Sequence, residues 1–213
     1  MINNYKDLTI AKYQQLLSID WNDMDEVDRQ VTMISILSDK DEDEILNLPL
    51  TEYTKLAAQT EFLLKEPDVK KRKPNKIRIN GKEYEVLKEV KDMTAGQYID
   101  YQQYLSLNDI NKFLPNILSC FIIPKGKKYG EYNIDGVIND IKDMSVEEAL
   151  SIASFFTKKF RTSIEAILLY SRWMLKKMKR KTKDETMKEN IEMARKRLQS
   201  LYNSIRNGDG FLA

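Results

Sequence analysis

Apolar residues recur three and four positions apart along most of this chain, the spacing of a helix with one buried face. The first such stretch opens at Thr9, a residue suited to an N-cap, and predicts a helix to about Ile19. An acidic run, Asp20 to Asp28, leads into a second helix over about 26–37, and Asp39-Lys-Asp-Glu-Asp-Glu44 starts or caps a third. Thr51 reads as the cap of a further helix carrying Tyr53, Leu56, Ala57, Leu63 and Leu64, with Pro67 just beyond its end. Clear alternation of apolar and polar positions occurs at Lys76-Ile-Arg-Ile79 and Lys82-Glu-Tyr-Glu-Val86, on either side of Asn80-Gly81. Asn-Gly tolerates the positive φ angles of a type I′ turn, so this segment predicts a hairpin with Ile77, Ile79, Tyr84 and Val86 on its apolar face.

Helical spacing returns after the hairpin. Thr94 with Gln97 three residues on forms a capping box, and Ser145 with Glu148 repeats the device. Towards the C-terminus, Ile164, Leu168, Ser171, Leu175 and Met178 are spaced 4, 3, 4, 3, with Ser171 the polar exception. Met187, Ile191, Ala194, Leu198, Leu201 and Ile205 continue in the same rhythm. Two heptad-like seams joined by Lys179-Arg-Lys-Thr-Lys183 predict an antiparallel helical hairpin over 162–206.

The two helical stretches share an order of signals. Thr9 and Thr94 each precede a tyrosine by four residues (Tyr13, Tyr98); Ile-Leu-Ser follows at Ile36–Ser38 and Ile117–Ser119. A second capped helix then opens at Leu50-Thr51 or at Met144-Ser145, with an insertion of 13 residues in the second copy. The expected fold is therefore mainly α: duplicated helical units joined by a short β-hairpin, followed by a long C-terminal helical hairpin. The expected divisions are an acidic helical unit at 1–66, a basic linker and hairpin at 67–92, a second helical unit at 93–160, and the helical hairpin with its tail at 161–213.

Composition agrees with a folded, helix-rich protein: 42% hydrophobic and 32% charged residues in 213, with only 7 Gly and 5 Pro. No apolar run approaches the length of a membrane span, and the start MINNYKDL lacks the pattern of a signal peptide. The net charge of +2 conceals a division. Residues 1–66 carry 6 Lys/Arg against 14 Asp/Glu, a balance of −8, whereas the remainder stands at +10. Such a chain could associate head to tail, although solvated faces on charge-rich helices are the plainer explanation.

The chain contains no histidine, which removes a histidine general base, a Ser-His-Asp or Cys-His system and the usual zinc ligand sets. The one cysteine, Cys120, lies in the apolar run Ile117–Ile123 and reads as a packing residue in a reducing compartment. Asp39, Asp41 and Asp43 alternate as in a calcium loop, but Glu44 and Leu50 stand where that loop needs Gly and Glu. The loop Pro124-Lys-Gly-Lys-Lys-Tyr-Gly-Glu-Tyr132 lacks the Gly-Lys-Ser/Thr of a phosphate cradle and reads as an exposed interaction loop. The basic runs Lys70–Lys73 and Lys176–Lys181 lack interleaved aromatics, so nucleic-acid binding is the weaker reading and a linker and a helix end the simpler one. Tyr13, Tyr53, Tyr98, Tyr101 and Tyr104 sit among apolar neighbours as core or interface residues. No residue is assigned a catalytic, cofactor-binding or metal-binding role.

Three stretches carry a family resemblance: Met93–Asp100, Ile117–Tyr129 and Met144–Phe156. They resemble small virion-associated proteins, cargo or tail-assembly, of crAss-like and related tailed phages of Bacteroides. The resemblance covers about residues 75–160, and the first helical unit more faintly. It implies a non-enzymatic protein that works by packing against other virion proteins or copies of itself, located in the virion and, during assembly, in the host cytoplasm. It leaves open a tail-assembly chaperone that is absent from the mature particle. An enzyme or nucleic-acid-binding factor is the third alternative.

Overall fold

The computed structural model describes residues 1–69, 73–107, 109–182 and 184–207. It is mostly helical, 66% of the chain, with a small three-stranded antiparallel sheet and a long C-terminal helical hairpin. The chain divides into two compact units, Met1–Phe155 and a second beginning at Phe156.

The first unit opens with four helices, α1 (Ile10–Ser18), α2 (Glu26–Ser38), α3 (Glu42–Leu46) and α4 (Leu50–Gln59). Side-chain caps set the starts of the first two. Thr9 Oγ1 accepts from the Lys12 amide at 3.3 Å, and Asp25 Oδ1 from the Asp28 amide at 2.8 Å. Asp39 ends α2 in the left-handed conformation at φ 56°. Thr51 is not the cap of α4. Pro49 occupies that position and Thr51 lies within the first turn, because the proline's restricted φ already suits the entry to a helix. The apolar faces close over two clusters. Leu8, Leu16, Leu37 and Val146 form one, and Val31, Ile34 and Ile45 the other, onto which Tyr53, Leu56 and Ala57 pack.

The hairpin forms as expected from β1 (Lys76–Ile79) and β2 (Lys82–Val86), with Ile77 opposite Tyr84 and Ile79 opposite Lys82. Asn80 at φ 51° and Gly81 at φ 77° supply the two left-handed residues of a type I′ turn. Ile77, Ile79, Tyr84 and Val86 are all buried. A third strand, β3 (Ile122–Pro124), pairs with β2 and was not anticipated from sequence, where it is submerged in the apolar run around Cys120.

Next come α5 (Ala95–Ser106) and α6 (Ile110–Ser119). The Thr94–Gln97 capping box is complete, and Gln97 is buried because its amide also donates to the Cys120 carbonyl at 2.9 Å. Beyond the Gly-Lys loop lies α7 (Ile134–Lys142), a helix missed from sequence. Its signals are the Asn133 cap, bonded to the amides of Asp135 and Gly136, and the buried positions Val137, Ile138 and Ile141.

Pro115 lies inside α6. Having no N–H, it cannot donate to the carbonyl of Asn111 four residues back. Gln14 of α1 takes over: its Nε2 donates to the Asn111 carbonyl at 2.7 Å and to the Lys112 carbonyl at 2.9 Å. A local defect in one helix thus becomes the attachment point for another.

α8 (Val146–Lys181) runs for 36 residues without a break and passes through the division expected at 160/161. Its sequence contains neither Gly nor Pro, so nothing stops the helix there. In the second unit, the distal part of α8 pairs with α9 (Glu185–Asn207). Lys179 to Lys181, expected in the turn, are instead the last residues of α8, and ahead of α9 the Asp184 side chain accepts from the Met187 amide at 3.2 Å. Of the expected seam, Leu168 and Ile191 are buried, and Leu175 and Leu198 half-buried. The side chains of Ile164 and Leu201 lie outside the described residues. Lys179 reaches across to Glu192 at 2.7 Å, and Arg195 joins the same carboxylate at 3.0 Å.

Replacing Gln14 with Ala should lower stability by about 1 kcal/mol by removing its bonds to the freed Asn111 carbonyl and to the Lys112 carbonyl. In a Pro115→Ala background, where residue 115 can donate to Asn111, the same substitution should cost markedly less. A double-mutant cycle by urea denaturation measures this coupling; additive effects would show that Gln14 does not act through the proline.

Candidate functional site

Three polar or reactive clusters and one exposed apolar face stand out. The first cluster surrounds Cys120, which is buried beside Tyr101, itself edge-to-face with Phe121 at 5.2 Å. Burial, with the Asp100 carboxylate adding to it, pushes the thiol up to about 12. A thiol held so far above neutrality is not a nucleophile, and Cys120 has the packing role that its sequence context indicated. Tyr129 donates to Asp100 at 2.6 Å. That bond pins the Gly-Lys loop at its centre: its lysines are exposed, but its tyrosine is tucked in. Tyr132 packs edge-to-face on Tyr129, and its hydroxyl is buried with no hydrogen-bond partner among the described residues.

The second cluster ties the β-hairpin to α7. Lys82 Nζ donates to Asp140 at 2.7 Å, the Tyr84 hydroxyl donates to the same carboxylate, and Asn80 donates to Asp143 at 2.6 Å. Partial burial opposes ionisation of Asp140, but Lys82 and Tyr84 outweigh it and hold the carboxyl below its ordinary value. On the outer face of the hairpin, Glu83 accepts from Lys125 and from Arg78, the latter at 2.9 Å.

The third feature is a cleft of about 930 Å³ between α1, α6 and α7. Amides line much of it, including Gln15, Asn116 and Asn139, and its charges come as two Asp and two Lys: Asp109, Asp135, Lys112 and Lys142. Phe113 and Ile138 supply apolar wall. The cleft has hydrogen-bonding capacity of both signs and no charge bias.

The exposed face lies on α8 in the second unit. Leu169, Tyr170, Trp173 and Met174 are 49%, 58%, 54% and 36% accessible. At 100° per residue they share one arc, on the side of the helix away from Leu168 and Leu175. Tyr170 and Trp173 lie 5.8 Å apart, and Lys177 Nζ sits 5.1 Å from the Trp173 ring centre. Heptad spacing assigns the opposite face of α8 to the seam and leaves these residues without a role in sequence. The available signal was a helix with apolar residues on two opposed faces.

The residues singled out from sequence are spread over the structure. Tyr101 is buried; Tyr13, Tyr53 and Tyr104 are half-buried; Tyr98 is 47% exposed. Asp39 ends α2 and pairs with Lys12 at 2.6 Å, while Asp41 precedes α3. Among the described residues, no group of three or more potential metal ligands is brought together. Of the basic linker, Lys70–Arg72 lie outside the described residues, and Lys73 sits 5.3 Å from the Phe155 ring centre. Among the described residues, no helix is long and apolar enough to cross a membrane. No family model, curated protein or solved structure matches this chain.

The Glu83 pairings have a pH signature. Hydrogen bonds from Lys125 and then Arg78 lower its pKa from 4.5 to about 2. A depressed carboxylate contributes stability that is present above its ordinary pKa and is lost as pH falls through the folded value. Carboxyl-carbon NMR should show Glu83 titrating well below the ordinary glutamate value of 4.5. Glu83→Gln should flatten the part of the stability loss that falls between pH 4.5 and about 2. A normal titration would mean that the ion pairs do not persist in solution.

Proposed function

We propose that this protein is a non-enzymatic component of a tailed-phage virion, packaged or tail-associated, that works by packing against other virion proteins or copies of itself. The observation that carries the reading is the α8 arc, where four large apolar side chains lie exposed together on one helix face. Contiguous exposed apolar surface rimmed by charge is characteristic of interaction sites. The resemblance of Met93–Asp100, Ile117–Tyr129 and Met144–Phe156 to virion-associated proteins of crAss-like phages supplies the biological setting. The opposed charges of the N-terminal third and the remainder favour contacts between neighbours.

Quantitative proteomics on gradient-purified particles tests the reading. The protein should co-purify with the major virion proteins at a fixed ratio through successive gradients. Abundance in infected-cell lysate with absence from particles would overturn the virion assignment in favour of a tail-assembly chaperone.

A further inference from the structure

The arc on α8 has a specific electrostatic frame. Lys176, Lys177 and Arg180 fall within or beside the same stretch of helix surface as Leu169, Trp173, Tyr170 and Met174. A partner for this surface must offer apolar side chains framed by carboxylates. A second copy of the arc does not qualify, because face-to-face pairing would oppose like charges in a desolvated contact.

Such a partner surface exists elsewhere on the chain. Leu46 ends α3 and Leu50 begins α4, on either side of the corner at Asn47–Pro49. They are 62% and 75% exposed, well above most other apolar residues of the first unit. Glu42 and Asp43 precede them on α3, and both are exposed. Glu42 and Asp43 stand four and three residues before Leu46, on its side of α3, so the corner offers exposed leucine beside acids, the complement of aromatic and methionine side chains beside cations.

We propose that the α8 arc of one copy docks on the Leu46–Leu50 corner of a second copy, giving a head-to-tail contact. This rests on the reading of the protein as one that works by packing, and adds the partner and both surfaces. Because the two surfaces differ, the contact is heterologous, and repetition produces a ring or an open filament rather than a two-fold dimer. The charged frame makes it salt-sensitive, and the apolar centre gives it a residue-specific anchor in Trp173.

The test uses the purified 213-residue chain in sedimentation velocity over a concentration series, at low salt and in 0.5 M salt, where the Debye length is about 4 Å. The wild-type chain should form oligomers that weaken with salt. Trp173→Ala, with circular dichroism showing an intact fold, should weaken association about tenfold or more. Reversing the arc (Lys176→Glu with Arg180→Glu) or the corner (Glu42→Lys with Asp43→Lys) should each abolish self-association by opposing like charges. Mixing the two reversed proteins should restore it, since each reversed surface then meets its complement. A monomeric wild-type chain at low salt would overturn the proposal. So would association that survives reversal of the corner, which would place the arc against another surface, its own copy included. Neither result depends on whether the protein is found in particles, so failure here and failure of the virion assignment are separable.

Discussion

Two backbone hydrogen bonds hold the first unit closed. The Ile10 amide donates to the Met144 carbonyl at 2.9 Å, and the Val146 amide donates to the Leu8 carbonyl at 2.8 Å, pairing residues 9 and 145 as an antiparallel bridge. Each donor belongs to the first turn of a helix, where amides have no intrahelical partner. The starts of α1 and α8 satisfy one another, and Thr9 and Ser145 cap the next amides with their side chains. Leu8, Ile10 and Val146 are fully buried at this junction, and water cannot substitute for a partner that is lost. The clasp joins the early helices to a segment late in the unit, so α1 can lie against α6 and α7, where Gln14 meets the carbonyl left by Pro115.

The same economy recurs in the rest of the unit, where polar groups at the ends and flaws of elements serve as tertiary links. Gln97 completes a capping box and also binds the Cys120 carbonyl. Asp140 collects Lys82 and Tyr84 from the hairpin, and Tyr129 fastens its loop to Asp100. Burial holds the Cys120 thiol protonated, and the cleft between α1, α6 and α7 is lined by amides and balanced charge. The second unit is built differently, from long helices with a buried seam on one side and an apolar arc on the other.

What could be read from the sequence was whatever is decided within a few residues. Thr9, Thr94 and Ser145 announce helix starts because the cap bond is local. Asn80-Gly81 announces a hairpin because the turn needs two left-handed residues. Leu168 and Ile191 were placed on a seam by spacing alone, and they are buried. Features that depend on distant partners were not legible. β3 exists because β2 offers it an edge, and its Ile-Ile-Pro sequence is otherwise indistinguishable from a core segment. Thr51 was credited with a cap that Pro49 occupies, since both residue types favour helix starts. The α8 arc escaped notice because the heptad spacing explained the opposite face and left Tyr170 and Trp173 unassigned.

Native-state hydrogen exchange at the Ile10 and Val146 amides tests the central role of the clasp. Both should exchange only through global unfolding of the first unit, with a denaturant dependence equal to that of its most protected core amides, such as Leu118 and Ile141. Exchange through a local opening, with Ile10 and Val146 losing protection while Leu118 and Ile141 retain theirs, would show that the fold does not depend on the pairing of residues 9 and 145.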